Sequence, residues 1–503
     1  MSLFTEISIP QLNLSYQQPL GLFINNKYVA SSDGSHIETV NPATNQPITS
    51  FHAASSLDVD RAVAAAREAY ESTWSKTSGE YRGALLAKLG RLIDDNKSLL
   101  AAIETLDSGK PYHSNALADL DQISQLTTYY AGAADKFSKG QMIPINHDKY
   151  AYTVKAPYGV VGQVVPWNYP LAMASWKIQG ALAAGNTIVI KPAENTSLSL
   201  LYFAQLFKEA GFPPGVVNVL PGLGSVTGQA LASHMDIDKI AFTGSTAVGQ
   251  RVMAAAATSN LKAVTLECGG KSPAVIFEDA NLDEAAKWTA AGIFYNSGQN
   301  CTANSRLVVQ ESIYDEFLAK FVDHAEKEWK FGASGDPFDE SCTVGPVISK
   351  VQFDRIHSYI DHGKTSEKLT IKQLGASETT QPGFFIPPTI FTDVTYDSKL
   401  AQEEIFGPVV VVLKFKDYND AIKTANNSDY GLAAAVFTED IRKANHFARD
   451  IKAGTVWLNS SNDEETSVPF GGYKMSGIGR ELGESGMEAY TQTKAVHVNM
   501  SKL

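Results

Sequence analysis

Short β-branched runs alternate with longer helical stretches between residues 160 and 267, and this alternation constrains the fold more than any other feature. Helical patterns over Leu171–Ala184 and Leu198–Ala210 each end before a glycine. Strands and helices that alternate at this pitch form right-handed crossovers, so the sequence predicts an α/β fold with a parallel, doubly wound sheet. The five predicted strands are Val160–Val165, Thr187–Lys191, Val216–Leu220, Lys239–Phe242 and Ala263–Glu267.

Helices are predicted before this region. Ser55 and Asp58 have the spacing of a capping box, and Val59–Tyr70 continues with helical periodicity. Residues 80–136 also carry periodic helical segments.

A second mixed region is predicted from about residue 270 to residue 470. Residues 363–383 within it are polar and rich in Gly, Ser and Thr, which indicates a surface excursion. Strands near Lys155 and over Tyr490–Val498 lie outside both cores, where an unpaired edge suits a subunit interface. The strands predicted inside the second region are Ala274–Phe277, Ser305–Gln310 and Val409–Phe415.

Composition excludes several classes of protein. The 503 residues are 44% hydrophobic with a formal net charge of −12, which disfavours disorder, nucleic acid and anionic membrane surfaces as partners. No apolar run reaches the roughly 18 to 20 residues of a membrane span. Three cysteines are too few for a disulfide framework, so thiol chemistry inside the cell is expected. No metal site is predicted.

The chain ends in Ser501-Lys502-Leu503, the form of a peroxisomal address that an import receptor reads. A peroxisomal location is therefore expected, with the cytoplasm as the alternative.

Polar and glycine residues follow the predicted strands, where ligands bind in doubly wound sheets. Lys191 and Glu194 flank a strand end; a carboxylate there can accept ribose hydroxyls and would repel a 2′-phosphate, although an exposed ion pair is the alternative. The run from Phe242 through Gly244 and Ser245 to Gly249 can hold a phosphate at a helix start, or Ser245 can be an ordinary N-cap.

Gly224 and Gly228 resemble part of a dinucleotide fingerprint, but their spacing is one residue too long. A plain glycine-rich turn is the alternative.

Three residues have side chains suited to covalent catalysis. Cys301 stands among small and polar residues as a possible nucleophile, although a lone cysteine can simply be a packing residue. Glu267 ends an apolar strand, where burial would raise its pKa and suit it to general-base work. Asn168 follows another strand and can donate to an oxyanion, although Asn is also common in turns.

Six ordered motifs together resemble the NAD(P)-dependent aldehyde dehydrogenase superfamily over about residues 20–500. Shorter matches at Phe23–Asn26, Cys301–Asn304 and Ser460–Glu465 are similar to fungal cytosolic members that act on 3-aminopropanal. The six motifs are Pro166-Trp167-Asn168, Lys191-Pro192-Ala193-Glu194, Glu267-Cys268-Gly269-Gly270-Lys271-Ser272-Pro273, Gly298-Gln299-Asn300-Cys301, Glu403-Glu404-Ile405-Phe406-Gly407-Pro408 and Pro469-Phe470-Gly471-Gly472.

The resemblance implies an architecture as well as an activity. It implies a Rossmann-type cofactor domain, an α/β catalytic domain and a small β oligomerisation arm in a homo-oligomer, expected to be a tetramer. The implied boundaries are 1–137 and 158–269 for the cofactor domain, 270–475 for the catalytic domain, and 138–157 and 486–503 for the arm.

The resemblance also implies residue roles. Cys301 attacks an aldehyde, Asn168 and the Cys301 backbone N–H hold the oxyanion, and Glu267 activates the water that releases a carboxylate. Lys177 and Glu481 match positions thought to assist proton movement, with a structural ion pair as the alternative. NAD is the expected cofactor and NADP the less favoured one. The implied cofactor contacts are Pro166, Trp167, Lys191, Glu194, Gly224, Gly228, Phe242, Gly244, Ser245, Gly249, Glu404 and Phe406.

Carboxylates precede the last motif, where the resemblance puts the substrate entrance. Asp463 and Glu464 there would favour a cationic aldehyde, and an aromatic wall of Tyr169, Trp176 and Phe470 could face its ammonium group. The hypothesis is an ω-aminoaldehyde substrate, and a solvated acidic loop is the alternative.

Other functions stay open at this point. A dehydrogenase for simple aliphatic aldehydes is the nearest alternative. A CoA-acylating enzyme would not need Glu267 as a base, and a non-catalytic protein on the same scaffold would be free to lose Cys301, Glu267 or Asn168.

Overall fold

A computed structural model describes residues 1–137, 139–332, 335–375 and 382–501 of the chain. Its strands are β1 Phe4–Ile9, β2 Leu14–Pro19, β3 Leu22–Ile24, β4 Lys27–Val29, β5 His36–Asn41, β6 Gln46–His52, β7 Met142–Asn146, β8 Lys149–Pro157, β9 Val160–Val164, β10 Thr187–Lys191, β11 Val217–Val219, β12 Lys239–Thr243, β13 Ala263–Glu267, β14 Pro273–Ile276, β15 Arg306–Gln310, β16 Thr370–Gln373, β17 Thr389–Thr392, β18 Val409–Phe415, β19 Tyr430–Gly431, β20 Ala433–Phe437, β21 Thr455–Leu458, β22 Tyr473–Lys474, β23 Gly477–Ile478 and β24 Thr491–Asn499.

The helices lie between these strands and cover the two main sheets. They are α1 Ser56–Ser72, α2 Gly79–Asp95, α3 Lys97–Ser108, α4 Leu117–Ala133, α5 Pro170–Ala184, α6 Leu198–Ala210, α7 Gln229–Ser233, α8 Thr246–Thr258, α9 Leu282–Phe294, α10 Tyr314–Glu328, α11 Lys350–Thr365, α12 Lys399–Gln402, α13 Tyr418–Asn426, α14 Ile441–Asp450 and α15 Gly483–Glu488. None of the helices in the described ranges combines the length and the apolar character that a membrane crossing requires.

An eight-stranded sheet contains all five strands predicted between residues 160 and 267. Its order is β23-β13-β12-β9-β10-β11-β3-β4, and the five central strands run parallel. The predicted α/β fold with a parallel, doubly wound sheet is therefore confirmed, with strand ends that differ by one residue at most. The short strands β23, β3 and β4 extend this sheet in antiparallel pairings.

A seven-stranded sheet of order β16-β17-β18-β15-β14-β20-β21 follows along the chain. It contains the three strands predicted there. The predicted surface excursion over residues 363–383 is partly wrong, because α11 continues to Thr365 and Thr370–Gln373 pairs antiparallel with β17 at the sheet edge. Residues 376–381 of that predicted excursion lie outside the described residues.

The first 55 residues form three β-hairpins, for which the sequence analysis made no prediction. In one of them, Asn25 and Asn26 both have positive φ, 56° and 59°, and join β3 to β4 in a two-residue turn. Asn tolerates the left-handed region, so this pair suits the turn that matches the twist of two antiparallel strands.

A three-stranded sheet of order β24-β8-β7 stands apart from both main sheets. It confirms the strands predicted near Lys155 and at the C-terminal side. Met142, Ile143 and Ile145 are exposed on it, so its apolar surface is unusually open for a monomer. Ser138, Lys502 and Leu503 lie outside the described residues, so the peroxisomal address stays a prediction.

A five-residue link, residues 268–272, joins the two main sheets. The chain leaves β13 at Glu267 and enters β14 at Pro273. Since the link is so short, the carboxyl edge of the first sheet lies beside the second sheet. The active-site candidates gather at this junction.

The capping box predicted at the start of α1 is present. The Asp58 backbone N–H donates to Ser55 Oγ at 3.3 Å, and the Ser55 backbone N–H donates to the Asp58 carboxylate at 3.1 Å. The buried Asp58 carboxylate also accepts from the Ser32 backbone N–H at 3.1 Å, so it ties the N-terminal hairpins to α1.

We expect Asp58→Ala to lower the free energy of unfolding by about 2 kcal/mol, because it removes a cap and takes the acceptor from the Ser32 and Ser55 backbone N–H groups. Denaturant titration would measure the loss. Glu71→Ala, at an exposed position on the same helix, should cost less than about 0.5 kcal/mol. Equal losses in the two variants would contradict the role given to Asp58.

Candidate active site

Two cavities meet at the junction of the main sheets. The larger has a volume of about 440 Å³ and the smaller about 170 Å³. Cys301, Thr243, Met173 and Cys268 line both of them. A reacting group on Cys301 therefore has access to molecules bound on either side.

Cys301 follows a tight segment in which Asn296 and Ser297 have positive φ. Its side chain is partly buried, and its Sγ donates to Asn300 Oδ1 at 3.8 Å. Burial raises the pKa of the Cys301 thiol, and the nearby carboxylates of Glu404, Glu464 and Glu267 raise it further. Both effects favour the protonated thiol, so a nucleophilic role for Cys301 would require a base.

Asn168 is buried beside the Cys301 segment. Its Nδ2 donates to the Gln299 carbonyl at 2.9 Å, and Asn296 Nδ2 donates to the Asn168 carbonyl at 2.9 Å. The bond to Gln299 uses one of the two N–H groups on the Asn168 amide. The structure thus fixes this amide at the smaller cavity, next to the nucleophile candidate.

Glu267 points its carboxylate into the larger cavity at the end of β13. Within the part of the chain that the structure describes, neither carboxylate oxygen of Glu267 has a hydrogen-bond partner, although the residue is buried, with only 4% of its surface exposed. Burial raises the pKa of Glu267 well above its usual value; the Glu481 charge adds to this, whereas Lys177 opposes it. An unpaired buried carboxyl with a raised pKa has the properties of a general base.

Gly471 leaves room for this carboxylate. A Cβ at that position would lie 2.9 Å from Glu267 Oε1.

Lys177 and Glu481 form a buried ion pair behind Glu267. The Lys177 ammonium also donates to Thr243 Oγ1 at 2.6 Å. The structural ion pair weighed in the sequence analysis is therefore present, and a role in proton movement stays a prediction. Phe470 exchanges two backbone hydrogen bonds with Glu481, which ties this pair to the wall of the larger cavity.

The link between the sheets carries two glycines that allow close approaches. The Gly270 backbone N–H donates to Glu404 Oε1 at 2.9 Å, while a Cβ on Gly269 would overlap that carboxylate. A Cβ on Gly270 would overlap the Cys301 carbonyl oxygen. Burial raises the pKa of Glu404 to about 7, and the Gly270 N–H opposes this rise.

Five of the predicted cofactor residues line the smaller cavity with Glu404: Pro166, Trp167, Gly244, Ser245 and Phe406. The Phe406 and Trp167 rings meet edge to face, with centroids 5.3 Å apart. Ser245 occupies the N-cap position of α8, but its side chain makes no capping hydrogen bond. Ser245 is therefore an N-cap by position whose side chain makes no capping bond, it lines the cavity wall, and its role toward a phosphate stays a prediction.

Phe242 and Gly249 support this wall from behind. A Cβ on Gly244 would lie 2.6 Å from the Phe242 ring, and one on Gly249 would lie 2.9 Å from Cys268 Sγ. Both glycines therefore allow tight packing under the smaller cavity.

Lys191 and Glu194 lie beyond the walls of the two cavities and form an ion pair of 3.2 Å. The Lys191 side chain is buried and the Glu194 side chain is 41% exposed, so only the carboxylate end of this ion pair meets solvent. Burial lowers the pKa of Lys191. Gly228 follows Gly224 in one irregular helical turn, and a Cβ on Gly228 would contact Lys191 Cδ at 3.7 Å.

All five predicted substrate residues line the larger cavity: Tyr169, Trp176, Asp463, Glu464 and Phe470. The Trp176 and Phe470 rings pack edge to face at 5.1 Å. The ammonium group of Lys110 already lies 4.4 Å from the Tyr169 ring centroid. Lys110 is buried and does not line the cavity, so the Tyr169 ring already makes one cation–π contact inside the protein.

Acidic residues of α4 were missed by the sequence analysis. Asp119 and Asp121 line the same cavity as Asp463 and Glu464. Asp119 and Glu104 hold the buried Lys110 between them, and Asp121 pairs with Lys97. The sequence signal that could have identified them is the pair Asp119 and Asp121, the charged residues of the helical segment Leu117–Ala133.

Two further residues of the smaller cavity were also missed. Arg355 Nη2 donates to the Glu404 carbonyl at 2.8 Å, and Gln352 Nε2 donates to the Phe406 carbonyl at 2.7 Å. Both lie on α11, far in sequence from every motif, and they hold the segment that carries Glu404 and Phe406.

Comparisons with known proteins agree with this geometry. The sequence profile of the aldehyde dehydrogenase family matches residues 28–496. Aldehyde dehydrogenase [NAD(P)+] 1 of Saccharomyces cerevisiae is 67% identical, with 99% of each chain covered. A structure of an NAD+ complex of aldehyde dehydrogenase from Bacillus cereus is 46% identical, with 99% of this chain and 100% of that one covered and a TM-score of 0.92. The betaine aldehyde dehydrogenase of Staphylococcus aureus in complex with NAD+ is 39% identical, covers 97% and 96%, and also has a TM-score of 0.92.

The raised pKa of Glu267 gives a stability prediction. Between the pKa of an unfolded glutamate and the higher folded value, the folded state holds a proton that the unfolded state loses, so stability falls as pH rises through this window. Glu267→Gln removes this loss. We expect it to stabilise the protein by about 1 kcal/mol at pH 9 and by almost nothing at pH 5.

Thermal unfolding of the wild type and the variant at both pH values would measure this difference. A variant equally stabilised at pH 5 and pH 9 would contradict the burial of an ionisable, unpaired Glu267.

Proposed function

The chain belongs to the aldehyde dehydrogenase family, and from this premise we propose that it oxidises a cationic ω-aminoaldehyde, such as 3-aminopropanal, to the carboxylate with NAD. It is an NAD(P)-dependent aldehyde dehydrogenase. The observation that carries the proposed chemistry is the position of Cys301 on the walls of both cavities, with Asn168 and Glu267 beside it.

The residues of the smaller cavity, together with Lys191 and Glu194 beyond its wall, fit a dinucleotide. The Ser245 hydroxyl makes no capping hydrogen bond at the start of α8, where backbone N–H groups favour a phosphate. Glu404 and Phe406 would hold the nicotinamide end, and Lys191 and Glu194 the adenosine ribose. When bound, NAD supplies the acceptor for the hydride that the substrate carbon loses. A Glu194 carboxylate at the ribose would disfavour the additional phosphate of NADP.

The chain's own residues would perform the covalent steps. The Cys301 sulfur adds to the aldehyde carbon after its proton is removed, and Asn168 together with the Cys301 backbone N–H stabilises the resulting oxyanion. After oxidation, a thioester joins the acyl group to Cys301. Glu267 takes a proton from water, the water oxygen attacks the thioester carbon, and the carboxylate leaves as the sulfur is freed.

Glu267 must release its proton before each turnover. The Lys177–Glu481 pair lies behind it and is the proposed route for that proton. Because Glu267 hydrolyses the thioester, its presence favours a free carboxylate product over transfer of the acyl group to CoA.

The substrate class is inferred from charge at the larger cavity. Asp463 is exposed, Glu464 is half-buried, and Asp119 and Asp121 approach from α4. Lys97 offsets Asp121, whereas Lys110 is shared between Asp119 and Glu104, so the α4 side keeps one negative charge to which Asp463 and Glu464 add theirs. Negative charge at an entrance attracts a cationic substrate and repels an anionic one. A dehydrogenase for simple aliphatic aldehydes is the second candidate, and it would need no such charge.

A homotetramer is proposed as the assembly. The exposed apolar residues of β7 and β8 support it, because such a surface favours burial against another copy.

Cys301→Ala should abolish aldehyde-dependent formation of NADH, because the covalent intermediate cannot form. Absorbance at the NADH band with 3-aminopropanal and with propanal would measure the rate. Cys342→Ala is the matched control; that thiol is buried and donates to the Val344 carbonyl at 3.5 Å, away from both cavities, so its loss should preserve activity. Activity that survives Cys301→Ala would refute the assignment of the nucleophile.

Asp463→Asn with Glu464→Gln should raise KM for 3-aminopropanal about tenfold and change KM for propanal less than about twofold. Burial raises the pKa of Glu464 to about 7, and Asp463 adds to the rise. Glu464 is therefore protonated below pH 7, so wild-type preference for the cationic aldehyde should increase from pH 6 to pH 8. Steady-state kinetics with both aldehydes over this range would measure it.

Glu465→Gln is the control for this experiment, since Glu465 is exposed in the same loop and outside the cavity lining. Equal changes in KM for both aldehydes in the double variant would favour the dehydrogenase for simple aldehydes.

A further inference from the structure

Asn462 connects the loop that carries the acidic entrance to the segment that carries Cys301. Its Oδ1 accepts a hydrogen bond from Asn300 Nδ2 at 3.0 Å and also contacts the Thr302 hydroxyl. Asn300 and Thr302 are the two neighbours of Cys301 in the chain. One side chain of the substrate loop therefore contacts both sides of the nucleophile.

The orientation of the Asn462 amide is fixed by its other contacts. Its Nδ2 donates to Ser461 Oγ at 3.0 Å and to the Gly292 carbonyl at 3.5 Å. Ser461 Oγ in turn donates to Asn304 Oδ1 at 2.5 Å. Because the nitrogen is directed to these acceptors, the oxygen of Asn462 must face Asn300.

Gly292 on α9 makes this arrangement possible. A Cβ there would overlap Asn304 Oδ1 and would lie 3.1 Å from Asn462 Nδ2. Asn462 itself has a φ of 53°, a left-handed conformation that asparagine tolerates better than most residues. The position thus combines an unusual backbone conformation with a fully oriented amide.

The bond to Asn462 determines which atom Asn300 presents to the thiol. Since Asn300 Nδ2 donates to Asn462, Asn300 Oδ1 faces the other way, toward the Thr302 backbone N–H at 3.3 Å and Cys301 Sγ at 3.8 Å. An amide oxygen can accept the S–H proton but cannot donate to a thiolate. Rotation of the amide would instead bring an N–H to the sulfur.

We propose that Asn462 is a positioning residue that, through Asn300, keeps Cys301 as a proton-bearing thiol in the resting enzyme. The sulfur then becomes nucleophilic only when a base removes its proton with substrate present. This inference rests on the proposed role of Cys301 as nucleophile. The charged groups that face the sulfur are the carboxylates of Glu404, Glu464 and Glu267, which act in the same direction as the amide oxygen.

The test is the pH dependence of Cys301 alkylation by iodoacetamide in the full-length enzyme, followed by mass spectrometry of the Cys301 peptide. In Asn462→Ala the Asn300 Nδ2 loses its acceptor, so the amide can turn an N–H toward the thiolate in exchange for the bonds that its Oδ1 accepts from the Thr302 backbone N–H and hydroxyl. We expect the alkylation midpoint to fall by about 0.5 pH unit or more, which is about a threefold faster reaction at a fixed pH below the midpoint.

Three further variants make the test specific. Asn300→Ala should lower the midpoint in the same direction, and the double variant Asn300→Ala with Asn462→Ala should shift it no further than either single change. Asn462→Asp retains an acceptor for Asn300 and should keep the midpoint at the wild-type value or above it. Glu465→Gln should leave the midpoint unchanged.

An unshifted midpoint in Asn462→Ala, or a fall in Asn462→Asp equal to that in Asn462→Ala, would overturn the role of Asn462. Alkylated wild-type enzyme should lose dehydrogenase activity. If it remained active, the assignment of Cys301 as nucleophile would be overturned, so the two failures are distinguishable.

Discussion

The hydrogen bond from the Gly270 backbone to Glu404 lies at the centre of the structure, because it fastens the five-residue link between the two sheets. Glu267 precedes this link and Pro273 follows it, so the link sets how closely the first sheet approaches the second. Gly269 and Gly270 bring the backbone against Glu404 and the Cys301 carbonyl. Glu267, Cys301 and Glu404, the proposed base, nucleophile and cofactor carboxylate, thus take their relative positions from one short segment without side chains at its two tightest points.

The electrostatics of the site follow from burial. Glu267, Glu404 and Glu464 all have raised pKa values, with desolvation as the largest cause, and these carboxylates in turn raise the pKa of Cys301. The resting site therefore disfavours negative charge on the sulfur. Such a site suits a reaction that begins with a neutral thiol and an uncharged carbonyl group and develops negative charge only once a base has taken the thiol proton.

Much of the architecture could be predicted from the sequence, because the buried strands and their helices have strong periodicity. The hairpin closed by Asn25 and Asn26 has strands of only three residues, too short for a period to be visible. The edge strand Thr370–Gln373 is polar, since one side of it meets solvent, and it therefore resembled a loop.

The site was predictable where chemistry and strand ends coincide. Glu267 and Asn168 stand in recognisable motifs at predicted strand ends, and Cys301 stands in a motif of small and polar residues. Asp119 and Arg355 come from helices whose periodicity says nothing about which cavity they reach. The contacts of Asn462 depend on a tertiary approach between a loop and α9 that no local pattern encodes.

The position of Asp119 bears on how such a cavity can change over evolution. Its carboxylate is part of the cavity wall and also shares the buried Lys110 with Glu104, whose other oxygen accepts from the Leu171 backbone N–H at the start of α5. Loss of Asp119 would leave the buried Lys110 with Glu104 as its one remaining partner and would break a hydrogen bond to its ammonium group, which destabilises the fold. The charge of the cavity wall can therefore be altered at the exposed Asp463 at less cost to the fold than at the buried Asp119.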